Sequence, residues 1–208
     1  MDILTNFPTQ LLIYSLDMIG ISACAIAATT LAMYKRFDLF GCILVSMVNA
    51  IGGGSLRDLI LDRHPLFWMT DLTYVILITT TSIICQLFFH RLGHIDRALK
   101  FFDAIGLAVF SVIGLTVALS FDAHPLIAVM MAVMTSIAGG IMRDMICNEI
   151  PLVLQKEIYI SASIIGSALY LVLQMWGFAD WIKQGLALVS IFGIRMLALK
   201  FDWHLPSI

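Results

Sequence analysis

The sequence predicts an all-α integral membrane protein with seven transmembrane helices, arranged as two inverted three-helix repeats followed by a seventh helix. The first observation behind this prediction is composition, because 61% of the 208 residues are hydrophobic and only 12% are charged. Such a chain has too little polar surface to cover a water-soluble globule, so the lipid bilayer is its expected environment. The net charge of -2 offers no basic surface for a nucleic-acid partner.

The spacing of the apolar runs is the second observation, and it gives the number and direction of the helices. Runs bounded by charge, Gly or Pro lie near 11–33, 39–61, 68–89, 101–119, 125–147, 157–176 and 180–199, and a span needs about 20 such residues. With the N-terminus outside, nine of the twelve Lys and Arg residues lie inside, and only Arg57, Arg63 and Lys183 lie opposite. The positive-inside rule therefore predicts that the N-terminus lies outside and the C-terminus inside. The expected location of this multi-pass protein is the inner (cytoplasmic) membrane.

An internal repeat at a fixed offset of 86 residues is the third observation. The matched positions include Asp17 and Asp103, Gly53-Gly54 and Gly139-Gly140, Arg57-Asp58 and Arg143-Asp144, and Pro65-Leu66 and Pro151-Leu152. Apolar composition alone does not produce matches of Gly, Arg, Asp and Pro at one offset. Each copy holds three spans, an odd number, so the second copy is threaded through the membrane upside down. The predicted units are 1–90, 91–176, and a seventh helix with the C-terminal tail at 177–208.

Glycines interrupt the middle helix of each copy. The second helix contains Gly52, Gly53, Gly54 and Ser55, and the fifth contains Gly139-Gly140. Each glycine is about 1 kcal/mol less favourable than Ala in a helix interior, so these runs favour a kink or an unwound turn whose carbonyls face a cavity. Close helix packing through small residues is the alternative.

Ionisable residues within the spans are predicted to form two clusters. The outer half receives Asp17, Arg57 and Asp58, and by inversion the inner half receives Asp103, Arg143 and Asp144. Because such groups cost roughly 2.5–3.5 kcal/mol each on insertion, they pair with one another or face a wet interior. Two roles stay open for both clusters: a structural salt bridge that neutralises arginine, and a gate or ion-coordinating site.

No pattern indicates an enzyme, a cofactor or a bound metal. His90 and His94 are spaced i, i+4, but no HExxH motif surrounds them. Asp71 and Glu157 are expected to begin the third and sixth helices, where the helix dipole favours an acid. The cysteines lie in apolar runs without CxxC spacing, which indicates buried packing residues. They are Cys24, Cys42, Cys85 and Cys147.

The paired segments DMIG…GGGSLRD…P and DAIG…AGGIMRDM…IP resemble the duplicated unit of the prokaryotic trimeric intracellular cation (TRIC) channel family, also catalogued under a glycine-transporter label. This resemblance covers nearly the whole chain. It implies a homotrimer with a pore in each protomer, lined by kinked second and fifth helices and permeable to potassium and other monovalent cations such as sodium. Ala138 stands where the first copy has Gly52, so less bending is expected in the fifth helix.

Two functions from different classes fit these residues. The leading hypothesis is a passive cation channel, in which carbonyls and acidic side chains replace part of an ion's hydration shell. The rival is a secondary transporter of glycine or another small amino acid, with alternating access between the inverted repeats. A structural membrane protein ranks last, because it gives no reason for duplicated glycine breaks.

Overall fold

The computed structural model describes residues 7–88, 95–155 and 158–203, with side chains from Ile13 onward. In these ranges the chain folds into seven α-helices and contains no strand, which confirms the predicted fold class. The helices are α1 (Phe7–Tyr34), α2 (Leu39–Ile60), α3 (Thr73–Phe88), α4 (Ile95–Ser120), α5 (Pro125–Ile146), α6 (Ile160–Met175) and α7 (Asp180–Phe201). A short 3₁₀ helix, Leu152–Leu154, lies between α5 and α6.

Five of these helices are long and apolar enough to cross a membrane, and α3 and α6 are apolar but have only 16 residues each. At 1.5 Å per residue a 16-residue helix is about 24 Å long, shorter than the roughly 30 Å hydrocarbon core. The predicted span at 68–89 begins too early, because residues 68–72 form turns. Asp71 precedes α3 and accepts a hydrogen bond from the Thr73 backbone N–H (2.9 Å). Hydrogen bonds from the side chain of Thr73 and from its backbone N–H lower the pKa of Asp71.

The helix ends repeat at the 86-residue offset. Asp38 caps α2 by accepting from the Gly41 N–H (2.7 Å), and its equivalent His124 caps α5 by accepting from the Leu126 N–H (3.3 Å). The left-handed backbone conformation also recurs in pairs, at Arg36 and Asp122 and at Asp62 and Asn148. The two copies therefore share turn geometry as well as sequence, whereas the exact unit boundaries stay a prediction.

The packing follows the same pattern in both triplets. Helix α1 contacts α2 and α3, and α4 contacts α5 and α6. The triplets join through α1 against α4 and α2 against α5, whereas α7 packs on α4 and α6. Small residues allow the α1–α4 crossing, because a methyl group on Gly20 would overlap Val109 and one on Gly106 would overlap Cys24. Most of α4 is consequently buried at the centre of the bundle.

The glycine runs of α2 and α5 form a direct backbone contact. A methyl group on Gly53 would overlap the carbonyl oxygen of Thr135, and one on Gly139 would overlap that of Asn49. Both helices are continuous through these runs, so the unwound turn is wrong and the close-packing alternative is correct at Gly53 and Gly139. The reason is that tertiary packing of the two backbones offsets the low helix propensity of glycine. A bend in either helix stays a prediction.

We expect Gly53→Ala and Gly139→Ala to destabilise the protein by about 1–3 kcal/mol each, because each methyl group meets backbone that cannot move aside. The measurement is the midpoint of thermal unfolding in detergent. Gly185→Ala is the matched control, since nothing lies within 4 Å of the added methyl group. Equal midpoints for all three variants would contradict the close contact of α2 with α5.

Candidate functional site

The first cluster consists of Asp17, Arg57, Asp58 and Tyr74, contributed by α1, α2 and α3. Arg57 donates from Nε (2.8 Å) and Nη2 (2.7 Å) to Oδ1 of Asp58. The other oxygen of Asp58 accepts from the Phe67 N–H (3.1 Å), and Asp17 accepts from the Tyr74 hydroxyl (2.7 Å). Arg57 and Asp58 are buried, so each charge has partners where water is scarce, as buried ions require.

The second cluster consists of Asp103, Arg143, Asp144 and Tyr159. Arg143 bridges both carboxylates, with Nη1 donating to Asp103 (2.7 Å) and Nε donating to Asp144 (2.7 Å). Asp144 also accepts from the Leu152 N–H (3.0 Å), and Asp103 accepts from the Tyr159 hydroxyl (2.6 Å). This cluster therefore ties α4, α5, the 3₁₀ helix and the start of α6 to one buried guanidinium.

Two residue pairs of these clusters do not follow the 86-residue offset. Phe67 and Leu152 make the same backbone bond to the equivalent aspartates, and Tyr74 and Tyr159 make the same hydroxyl bond. Both pairs are 85 residues apart, so the second copy is one residue shorter after Asp144. The Pro65-Leu66 match to Pro151-Leu152 is therefore one residue out of structural register, and the tyrosines were missed for that reason.

The clusters differ in how the first aspartate is held. In the second cluster Asp103 is bonded directly to Arg143, whereas the described residues contain no hydrogen bond or ion pair between Asp17 and Arg57. A further arginine, Arg63, lies 3.6 Å from Asp58. The predicted outer grouping is thus looser than the inner one.

Each cluster lies beside a vestibule near one end of α1. The first vestibule has a volume of about 250 Å³ and is lined by Ile13, Asp17, Arg57 and Arg63 among others. The second, of about 240 Å³, is lined by Leu31, Leu99, Lys100, Asp144 and Glu149 among others. The two linings share equivalent positions of the repeat, namely Ile13 with Leu99 and Arg63 with Glu149. The two vestibules are therefore equivalent spaces in the two copies. Asp103 and Arg143 do not line the second vestibule. Asp103 instead lines a small cavity between α2 and α5.

A constriction between α2 and α5 lies among the glycines. Its cavity of about 10 Å³ has room for roughly one water molecule. The residues that line it include Asn49, Gly53, Gly54, Asp103, Thr135, Ser136, Gly139, Gly140 and Tyr159. Of the other predicted residues, Gly52 packs against Met142, and Ser55 accepts from the Trp68 indole N–H (3.0 Å). Neither lines the constriction.

Sequence reasoning missed the polar pair Asn49 and Thr135. Their positions are 86 residues apart, and polar residues at equivalent places in two apolar helices were the available signal. Asn49 donates to the Cys24 carbonyl (2.7 Å), whereas the buried Thr135 hydroxyl has no hydrogen-bond partner among the described residues. The constriction therefore offers a hydroxyl oxygen to whatever enters it.

The described residues contain no group of three or more His, Cys, Asp and Glu side chains that could hold a metal ion. His90, His94 and Glu157 lie outside the described residues. All four cysteines are buried and reduced.

We expect Arg143→Gln to destabilise the protein more than Arg57→Gln does. Arg143 compensates two buried carboxylates, and loss of a buried partner costs about 3–5 kcal/mol. Asp58 keeps Arg63 nearby when Arg57 is replaced. Thermal unfolding of both variants in detergent measures the difference. An equal or larger loss of stability in Arg57→Gln would contradict the greater importance of Arg143.

Comparison with known proteins shows the family of this chain. A family model described as "Glycine transporter" matches residues 14–90 and again 100–175. The UPF0126 inner membrane protein YadS of Escherichia coli K12 is 37% identical over 200 residues, which cover 95% of this chain and 96% of that protein.

Solved structures give the same result. The TRIC trimeric intracellular cation channel orthologue from Rhodobacter sphaeroides superposes with a TM-score of 0.89 at 33% identity, over 92% of this chain and 99% of that one. A prokaryotic TRIC channel in 0.5 M KCl gives a TM-score of 0.88 at 28% identity, over 94% and 100%. These relatives are channels and not enzymes. The chain belongs to the glycine-transporter family as its model describes it, the family of the UPF0126 membrane proteins and the prokaryotic TRIC channels.

Proposed function

We propose that this protein is a potassium-permeable channel for monovalent cations, with one pore in each protomer of a homotrimer. Its relatives of known structure are TRIC cation channels. The pore runs between α2 and α5, from the first vestibule past Asp17, through the glycine constriction, to the second vestibule. The observation that carries this proposal is the constriction, because it is lined by groups from both repeats and includes Asp103 and Tyr159 of the second cluster. The first cluster begins about one helical turn beyond Gly53 on α2, at Arg57.

The charge balance of the clusters favours cations. Each cluster contains two aspartates for one buried arginine, Asp17 and Asp58 for Arg57 and Asp103 and Asp144 for Arg143. The second cluster therefore carries a formal net charge of -1 when its groups are ionised, and the first carries -1 when the partly exposed Arg63, 3.6 Å from Asp58, is not counted. In a water-poor passage, this excess attracts cations and repels anions. The arginines weaken the electrostatic attraction between the aspartates and a cation, so that the cation can leave as well as enter.

The conformation described is closed. A passage with room for about one water cannot pass a hydrated ion. Since Asp17 lines its vestibule, whereas Asp103 lines the constriction and is ion-paired there with Arg143, the second cluster is the tighter barrier. Opening requires α2 and α5 to part at Gly53 and Gly139, and Arg143 to release Asp103. The glycines Gly52 and Gly140 and the hydroxyl of Ser55 then flank the widened passage.

The orientation proposed is N-terminus outside and C-terminus inside, in the inner membrane. The ion pair of Lys35 with Glu149 (2.6 Å) brings the α1–α2 turn and the end of α5 to one face. The charged residues at the start of α4 and Lys200 at the end of α7 line one common cavity. Basic residues thus gather where the positive-inside rule expects the cytoplasm. The first cluster is then the outer one and the second the inner one.

The second candidate is a secondary transporter of glycine. The description of the family model names this activity, and an open outer cluster opposite a closed inner one also suits alternating access. The two mechanisms differ in a measurable way, because a transporter moves a fixed number of substrates per cycle.

A planar-bilayer recording of the purified protein in a potassium gradient tests the proposal. We expect unitary currents that reverse near the potassium equilibrium potential, in up to three equal levels per trimer. Addition of glycine to one side leaves these currents unchanged. Silent bilayers together with glycine exchange in liposomes would overturn the channel and establish the transporter.

Gly140→Ala tests the route through the constriction. An added methyl group there meets only ordinary contacts, 3.7 Å from Arg143 Nη2 and from Asp103 Oδ1, so the variant is expected to fold. In a narrow passage it lowers the unitary current roughly two-fold or more. Gly185→Ala on α7 is the control. Unchanged current in Gly140→Ala would exclude a pore along this face of α5.

A further inference from the structure

The seventh helix has no counterpart in either repeat, yet it contributes a buried arginine next to the second cluster. Arg195 lies in the last third of α7 and is completely buried (0% exposed). A buried guanidinium has a large desolvation cost, so its surroundings are expected to be specific. Its position is not explained by the pore-lining residues, because it lies outside the constriction.

Arg195 contacts the start of α6. Its Nη1 donates to the Ile158 carbonyl (3.3 Å), and its guanidinium carbon lies 4.7 Å from the centre of the Tyr159 ring. The hydroxyl of that ring donates to Asp103 at 2.6 Å. Arg195 is therefore linked through one side chain to the carboxylate that Arg143 holds.

The equivalent tyrosine of the first cluster has different neighbours. Tyr74 packs edge-on against Phe67, with ring centres 5.0 Å apart, and against Tyr14, with ring centres 6.4 Å apart. These are neutral contacts within the first repeat. At Tyr159 a cation from α7 lies over the ring instead.

Two physical effects follow from a cation over a phenol ring. The contact itself is attractive and is lost when the ring moves away. The positive charge also draws electron density from the hydroxyl, which makes its O–H a stronger donor to Asp103. Both effects favour the arrangement in which Tyr159 and Asp103 are joined.

We propose that Arg195 is a positioning residue that holds the inner cluster closed through Tyr159, so that α7 sets the resting open probability of the pore. The gating part of this inference rests on the proposed channel function. Opening needs Asp103 to be released, and the Tyr159 ring then has to leave its place over Arg195. The outer cluster is made of residues from α1, α2 and α3, and it opens more readily.

Single-channel recording of Arg195→Gln is the direct test. We expect its open probability to rise roughly two- to tenfold with unitary current unchanged. Arg195→Lys keeps a cation and is expected to lie between the wild type and Arg195→Gln. An open probability at or below the wild-type value in both correctly folded variants would overturn the proposal.

Lys183→Gln is the matched control, because α7 offers a second buried cation over an α6 tyrosine. Lys183 Nζ lies 5.3 Å from the Tyr170 ring centre, away from the cluster. A merely structural role for α7 would make Lys183→Gln and Arg195→Gln alter open probability alike, which would also overturn the proposal.

A double-mutant comparison tests the route. In a Tyr159→Phe background the hydroxyl bond to Asp103 is absent, so Arg195→Gln should add little further increase. A full additional increase would mean that Arg195 does not act through Tyr159.

If the wild-type protein gives no current, the proposed channel function fails, and this result says nothing about the Arg195 contact. Hydrogen exchange at residues 158–163 would then decide the Arg195 contact itself. Faster exchange in Arg195→Gln than in Lys183→Gln supports the contact, and equal exchange overturns it.

Discussion

The buried guanidinium of Arg143, held between two carboxylates, is the interaction on which the rest of the structure depends. Ions removed from water must be paired, and here the pairing joins Asp103 of α4 to Asp144 of α5. Asp144 then fixes the chain beyond α5 through the Leu152 N–H, and Asp103 fixes α6 through Tyr159. One charge thus holds three helices of the second repeat in register. In the proposed channel this charge has to move when an ion passes, so the same ion pair both stabilises the second repeat and closes the pore.

The contact between α2 and α5, which lies between the two clusters, also has two roles. Gly53 and Gly139 bring two backbones together more closely than any side chain would permit. This contact is the structural role that small residues commonly have between membrane helices. The cavity at that contact has a volume of only about 10 Å³, so in the proposed channel the residues that pack α2 on α5 also close the pore. The proposed opening therefore separates α2 from α5 at this contact and needs no unwound helix.

Much of the fold could be predicted because charged residues are rare in this sequence and glycine pairs recur at equivalent positions of the two copies. The predicted spans 39–61 and 125–147 match α2 and α5 within one residue, and the pairing of Arg143 with its aspartates followed from topology. Three features could not be predicted. The tyrosines lie one residue off the repeat offset, Arg195 belongs to a helix without a copy, and the helical state of the glycines depends on a partner backbone. Each of these is fixed by tertiary contacts that local sequence does not encode.

Block of potassium current at Ser136→Cys tests whether ions pass between α2 and α5. Ser136 lines the constriction on α5, and the experiment uses a background in which the four native cysteines are replaced. Ser190→Cys on α7 is the control for modification elsewhere. We expect a charged thiol reagent, applied while the channel is open, to abolish current at Ser136→Cys and to spare Ser190→Cys. Complete modification of Ser136→Cys with undiminished current would contradict a pathway between α2 and α5.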